Sequence, residues 1–318
     1  MQYTDYINAL RNANTPVRKK MEKKGTLKVG VVEATPIVWE GRLLRFEWIR
    51  PADWGDGHDD RKEGYYHFVD METEEEVGVP FARANAAFGC AYSENGVMYA
   101  HGVRGNAGKT NIIDVYYSRD LIHWESKTAI TLPEGMVVYN TSVCKDDEGY
   151  AMAIEVAGDK ELLGGIYTII FAKSKNLFDW EVLPIDRHIY LKERYAACPS
   201  IRYFDGFYYM VYLEICPLFR LFPYIVRTRD FETFEPAMIN PFMVTDNDDK
   251  KVPHPERFTK EELDMIAISP DNNNSDVDFC EYQGKTIILY SWGNQLGKEF
   301  LAYAEYDGGL EEFLKSFF

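Results

Sequence analysis

From about residue 28 onward, short apolar and aromatic runs are broken at intervals by a polar pair ending in glycine. Five stretches carry the pattern: PIVWEGRLLRFEW, GCAYSENGVMYAHG, SVCKDDEGYAMAIEV, SIRYFDGFYYMVYLE and FCEYQGKTIILYSWG. β-branched and aromatic residues favour a pleated, half-buried surface, and a glycine can take the positive φ of a tight turn, so each stretch predicts a β-hairpin. The turn glycines are Gly41, Gly96, Gly149, Gly206 and Gly284. They recur about every 55 residues, with a longer gap before the last. That gap holds a polar insertion, residues 238–274, in which FTKEELDMI predicts a helix.

A second element repeats in phase with the hairpins: YYSRDLIHWE, AKSKNLFDWE and VRTRDFETFE. Ser118, Ser174 and Thr228 align, as do Asp120, Asn176 and Asp230, and Trp124, Trp180 and Phe234. The pattern predicts a strand ending in a side-chain-capped turn, followed by an aromatic that packs onto the outer strand. Two in-phase motifs in a repeat of several strands predict an all-β, five-bladed β-propeller. A β-sandwich of irregular hairpins would give no reason for the phase. Residues 1–27, with a helical pattern over Asp5 to Lys24 broken by Asn-Thr-Pro, are expected to form a short lead-in, and 28–318 the propeller domain.

The formal charge of −16 argues against nucleic acid as a partner. The basic cluster Arg18-Lys19-Lys20 with Lys23-Lys24 is expected to be a solvated helix face. No apolar run reaches membrane-spanning length, and the N-terminus lacks the apolar core of a signal peptide. The expected location is cytoplasmic, or periplasmic or secreted if a leader has been removed. The five cysteines lack metal-ligand spacing and read as reduced core residues. Aromatic residues make up 15% of the chain, with 22 Tyr and 19 Phe, a composition suited both to strands and to lining a carbohydrate site.

The S-x-D-L-x-x-W-E element after a hairpin, repeated around the chain, resembles the five-bladed propeller glycoside hydrolases, the clan of glycoside hydrolase families 43, 32, 62 and 117. The resemblance covers about residues 28 to 310. It implies an oligosaccharide substrate, cleavage at a non-reducing-end sugar of a plant or algal oligosaccharide, inversion as the commoner outcome, and carboxylates near the axis acting as base, modulator and acid. No cofactor is implied, and a structural cation on the propeller axis is left open.

Counting eight residues back from each turn glycine gives Glu33, Phe88, Thr141, Cys198 and Asp276. Glu33 matches the family's general base, one methylene longer. The modulator would fall near Asn140-Thr141 and the acid near Ala197-Cys198, and neither place holds a carboxylate. Asp276 and Asp278, two apart before the last hairpin, are expected on one side of an extended segment, where mutual repulsion raises one pKa. Glu33 and Asp276 are expected to line one cavity when the first and last blades meet. Glu155 and Glu214, standing in apolar runs, could supply the acid, as could Asp278 or His188, because a buried carboxylate needs partners. Candidate sugar-binding residues are Arg83, Asn85, Asn140, His188 and Trp292. The alternatives are a carbohydrate-binding or catalytically decayed propeller and a phosphorylase on the same fold.

Overall fold

The computed structural model describes residues 21–50, 64–105 and 108–318. Most of the expected helical lead-in lies outside the described residues. Five antiparallel blades follow one another, the fourth and fifth joined into one sheet by a parallel pairing of Leu221 with Asn273. The first contains β2 (Ala34–Trp39), β3 (Arg42–Ile49), β4 (Tyr65–Asp70) and β5 (Glu76–Phe81). The second contains β6 (Ala86–Glu94), β7 (Val97–Arg104), β8 (Ile112–Ser118) and β9 (Glu125–Thr131). The third contains β10 (Val137–Lys145), β11 (Tyr150–Ala157), β12 (Thr168–Ser174) and β13 (Trp180–Val182), with a short β14 (Ile189–Tyr190) also on β12. The fourth contains β15 (Ala197–Phe204), β16 (Phe207–Cys216), β17 (Arg220–Thr228) and β18 (Phe234–Pro236).

The fifth blade is composite. Its strands β19 (Asn273–Tyr282), β20 (Lys285–Gly293) and β21 (Glu299–Tyr306) are completed by β1 (Glu22–Val29), which pairs with β21. The start of the chain therefore closes the ring, and strand structure begins six residues before the boundary expected at 28. Of the basic cluster, Arg18, Lys19 and Lys20 lie outside the described residues, while Lys23 and Lys24 stand in β1 rather than on a helix face. Lys23 is buried, its ammonium 2.9 Å from a carboxylate oxygen of Asp249 and 2.9 Å from Oδ1 of Asn274. Asp249 comes from the polar insertion, which also carries the expected helix (Lys260–Ile268), capped by Thr259 and Glu262 in a reciprocal capping box.

The innermost strands β2, β6, β10, β15 and β19 contact one another in sequence, and β19 contacts β2, so they surround one axis. The five expected turns all join the first and second strands of a blade and are equivalent. Four are two-residue turns with both central residues at positive φ: Glu40-Gly41, Asn95-Gly96, Asp205-Gly206 and Gln283-Gly284. This is the twist that suits a hairpin.

The second motif also forms as a unit. The Ser118 hydroxyl accepts from the amides of Asp120 and Leu121, and the Asp120 carboxylate accepts from those of Ile122 and His123. Ser174 with Asn176 and Thr228 with Asp230 repeat the arrangement. The aromatic that follows does not cover its own outer strand. Trp124 stacks 3.7 Å from Phe81 of the first blade, Trp180 lies edge-on to His101 of the second, and Phe234 packs on Phe171 of the third. Each aromatic thus ties its blade to the preceding one, which explains why the motif recurs with the blade period.

Candidate functional site

Each inner strand except β2 is broken by a bulge in which two of its residues oppose one on the second strand. The pairs are Phe88-Gly89 opposite Gly102, Tyr139-Asn140 opposite Glu155, Cys198-Pro199 opposite Tyr212 and Asp276-Val277 opposite Tyr290. Phe88, Cys198 and Asp276 take φ near +50°. Bulges re-aim side chains, and left-handed backbone at non-glycine residues is held only where its surroundings enforce it. The equivalent residue in the third blade is Tyr139, not Thr141. Its turn is two residues longer, with Asp146 accepting from the amides of Glu148 and Gly149, so counting eight back from Gly149 stops two residues short.

These bulges surround an axial cavity of about 30 Å³ lined by Glu33, Asn140, Thr141, Cys198, Asp276 and Asp278, among others. That volume holds water rather than a sugar ring. Glu33 and Asp276 thus line one cavity, as expected. Glu33 is nearly enclosed, and Arg50 grips it: Nη2 donates to both carboxylate oxygens at 2.8 and 3.0 Å, and Nε to Oε2 at 3.3 Å. Burial raises the Glu33 pKa, with Arg50 opposing and Asp276 adding to the rise. Asp276 is half-buried and accepts from the Ser291 hydroxyl at 3.1 Å. The Cys198 thiol lies against it, held neutral by burial and by the charges of Asp276 and Glu155.

Glu155 sits behind this cavity. Its Oε2 accepts from the Cys198 amide at 2.8 Å and from the Asn140 side chain at 3.0 Å. Burial pushes its pKa up to about 7, and the charge of Asp276 contributes to the rise. A carboxyl with a pKa raised toward neutrality, within electrostatic reach of a half-buried carboxylate, can serve with it as an acid–base pair.

Asp278 borders the cavity but does not partner Asp276. The bulge breaks the alternation that would have put them on one side, and Asp278 is held by the Ser200 hydroxyl and the Arg202 guanidinium, each at 2.6 Å. Glu214 is outside the cavity, bound by Arg194 at 3.1 Å and the Tyr212 hydroxyl at 3.0 Å.

Trp292 cannot touch a substrate. It is fully buried, stacked on Phe300, and donates to the Thr26 hydroxyl at 2.9 Å, so it seats the closing strand. His188 lies outside the lining, bridging the Pro184 carbonyl and Glu232 of the next blade. Arg83 covers the ring of Tyr65 from an exposed turn, and Asn85 beside it engages Gly105 and Tyr116 through its backbone carbonyl. Neither borders the cavity. Glu47 is structural: its burial, which would raise the pKa, is outweighed by Arg45, His67 and Lys28.

Two residues of this region escape the sequence reading. Arg50 follows an ordinary hydrophobic strand. Glu299 opens β21, accepts from the amide of Gln295, and has a pKa pushed up to about 8 by burial, with Asp276 contributing. Neither belongs to either repeated motif, so no periodic signal marks them. Among the described residues no group of His, Cys, Asp and Glu is arranged to hold a metal ion, and no helix is long and apolar enough to cross a membrane.

No protein-family model and no curated protein matches the chain. Solved structures do match, at low identity and over nearly the whole fold. A protein described as a glycoside hydrolase superposes with a TM-score of 0.64 at 12% identity, covering 96% of this chain and 95% of its own. A structure from glycoside hydrolase family 130, a family of mannoside phosphorylases that contains glycoside hydrolases targeting β-1,2 mannosidic linkages in Candida mannan, gives 0.56 at 13% identity, covering 92% of each chain. The family 32 β-fructofuranosidase of Bombyx mori, in complex with sucrose, gives 0.57 at 13%, covering 95% of this chain and 66% of its own. The fold of this chain is that of the five-bladed propeller glycoside hydrolases.

Proposed function

We propose that this protein is a glycoside hydrolase acting on a non-reducing-end sugar of a plant or algal oligosaccharide by inversion. The observation that carries the reading is a water-sized cavity on the axis, bordered by Glu33 and Asp276 from blades at opposite ends of the chain, with Glu155 behind it. Asp276 is the general base that draws a proton from the attacking water, and Glu155 is the general acid that protonates the leaving oxygen. The sequence favours Glu33 as base. Both Glu33 oxygens are committed to Arg50, whereas Asp276 is the more exposed carboxylate, so the geometry favours moving that role. Glu33 with Arg50 then fixes the charge beside Asp276.

The similar structures named above include hydrolases that act on glycosidic linkages, which supports the reaction class. A phosphorylase would need cations free to take phosphate, and Arg50, which reaches this cavity through its contact with Glu33, is already engaged by that carboxylate. The test is a screen of aryl glycosides and natural oligosaccharides, with and without phosphate, followed by proton NMR of the first anomer released. Release without phosphate and with inverted configuration is expected. Strict phosphate dependence, or no release from any glycoside, overturns the reading.

A further inference from the structure

The repeat supplies its own control for the fifth blade. In the other bulged blades the pair of residues just before the bulge is apolar: Ala87 faces Val103, Val138 faces Val156 and Ala197 faces Leu213, all of them buried. In the fifth blade the same pair is Ser275 and Ser291, fully buried, with their hydroxyls 2.8 Å apart. The fold therefore does not call for hydroxyls at this place, and burying polar groups is unfavourable unless they are bonded. They occur in the blade whose bulge carries Asp276.

The direction of the hydrogen bonds follows from the donors around them. Ser275 Oγ accepts from the side-chain amide of Asn273 at 2.9 Å and from that of Gln295 at 3.0 Å. With both lone pairs taken, its own hydrogen goes to Ser291, and the hydrogen of Ser291 goes to Oδ2 of Asp276 at 3.1 Å. Glu299, which the proposed mechanism leaves unused, braces the two amide-bearing residues: it accepts from the backbone amide of Gln295 and lies 3.4 Å from the side-chain nitrogen of Asn273. Gly293, opposite Asn273, leaves room for it, since a Cβ there would come within 2.9 Å of Glu299 Oε2.

We propose that Ser275 and Ser291 are positioning residues for Asp276, a chain of donated hydrogen bonds that fixes one carboxylate oxygen and sets the group to receive a proton. The inference rests on the reading of Asp276 as the general base. Neither serine lines the cavity, so both act through Asp276. A hydrogen bond donated to a carboxylate favours its charged form, the form in which a base acts, and linked donors strengthen one another.

The test compares Ser291→Val with Ser291→Thr, side chains of one shape that differ in the hydroxyl. Val103 and Val156 at the equivalent positions show that a blade accepts a β-branched side chain there. On a substrate found by the glycoside screen, Ser291→Val should lower kcat by about tenfold with little change in KM, and should raise the acid limb of the kcat/KM profile by about one pH unit. Ser291→Thr should stay within about threefold of the unaltered protein. Ser275→Ala should move the limb the same way but add nothing to Ser291→Val, because it acts through that hydroxyl. If Ser291→Val fails to fold, Ser291→Ala removes the hydroxyl without added bulk. An acid limb that stays in place, or additive losses in the double variant, overturns the proposal and leaves the hydrolase reading intact. NMR of protein carrying carboxyl-labelled aspartate, with the Asp276 signal identified by its absence in Asp276→Asn, gives a readout free of turnover. That signal should titrate at higher pH in Ser291→Val, and such a shift without cleavage of any glycoside would remove the hydrolase reading while leaving the serine pair in control of Asp276.

Discussion

The backbone amide of Cys198 donates to Oε2 of Glu155 at 2.8 Å, so a bulge in the fourth blade orients a carboxyl carried by the third. The Asn140 side chain donates to the same oxygen at 3.0 Å. A general acid must be protonated to act, and the Glu155 pKa of about 7 means that the protonated form is lost as pH rises through neutrality. The pH profile of kcat/KM is therefore expected to fall on its alkaline side with a midpoint near 7. Glu155→Gln should lower kcat by roughly a hundredfold or more and abolish that limb. An alkaline limb that survives the substitution would assign the acid elsewhere.

Asp276 and Glu33 share a cavity, and the proposed mechanism gives them different roles. Asp276→Asn is expected to reduce turnover by about a hundredfold or more with folding intact, since the isosteric amide still accepts from Ser291. Glu33→Gln leaves Arg50 facing an amide and should lower kcat less while also reducing thermal stability. Steady-state kinetics beside a melting curve separate the two. A larger kinetic loss in Glu33→Gln than in Asp276→Asn would return the base to Glu33.

Stability should depend on pH in a stated direction. Glu155 and Glu299 have folded-state pKa values of about 7 and about 8, raised from 4.5. The folded protein holds protons that the unfolded chain releases, so these groups make stability fall as pH rises from about 4.5 to about 8, by at most ~1.4 kcal/mol per pH unit each. Glu47 acts oppositely: its depressed pKa contributes stability that is lost on acidification below its ordinary range. Melting temperature should peak near pH 5, and Glu155→Gln should flatten the decline above it. A melting temperature that rises from pH 5 to 8 would contradict this.

Lys23 closes the ring through a buried ion pair with Asp249. Lys23→Met removes one partner and leaves the other charge enclosed, which costs about 3–5 kcal/mol. Chemical denaturation should show this loss, and Lys23→Met combined with Asp249→Asn should recover part of it. Additive losses in the double variant would mean that the pair is not coupled.

Gly102 lies opposite the second-blade bulge, and a Cβ there would come within 1.8 Å of the Tyr66 hydroxyl. That hydroxyl is fully buried and donates to the Ala87 carbonyl at 3.0 Å, so it cannot swing aside. Gly102→Ala should destabilise by about 1–3 kcal/mol, and Tyr66→Phe in the same background should relieve part of the loss. No change in the unfolding midpoint would show that the sheet yields there.

Much of the fold is legible in the sequence because it is local and repeated. The turn glycines and the S-x-D capped turns each depend on a few neighbouring residues, and they recur in phase, the first in five blades and the second in three. The pairing of Glu33 with Asp276 at one cavity also follows from the repeat, since closure makes the first and last blades adjacent. Thr141 shows where counting fails. A longer turn held by Asp146 shifts the third blade by two residues, and only the strand pairing reveals Tyr139 as the equivalent position.

The sequence by itself determined the all-β repeat, the number of blades and the presence of carboxylates at their axial ends, because hydrophobic alternation and turn chemistry act over a few residues. The tertiary structure alone decided which carboxylates meet at the axial cavity and what surrounds each of them. Bulges separate Asp276 from Asp278, blade packing buries Trp292 under the closing strand, and Arg50 claims Glu33. Glu155 becomes a weak acid only because the neighbouring blade excludes water from it. Desolvation and ion pairing are set by groups far apart in the chain, and no pattern along one strand encodes them.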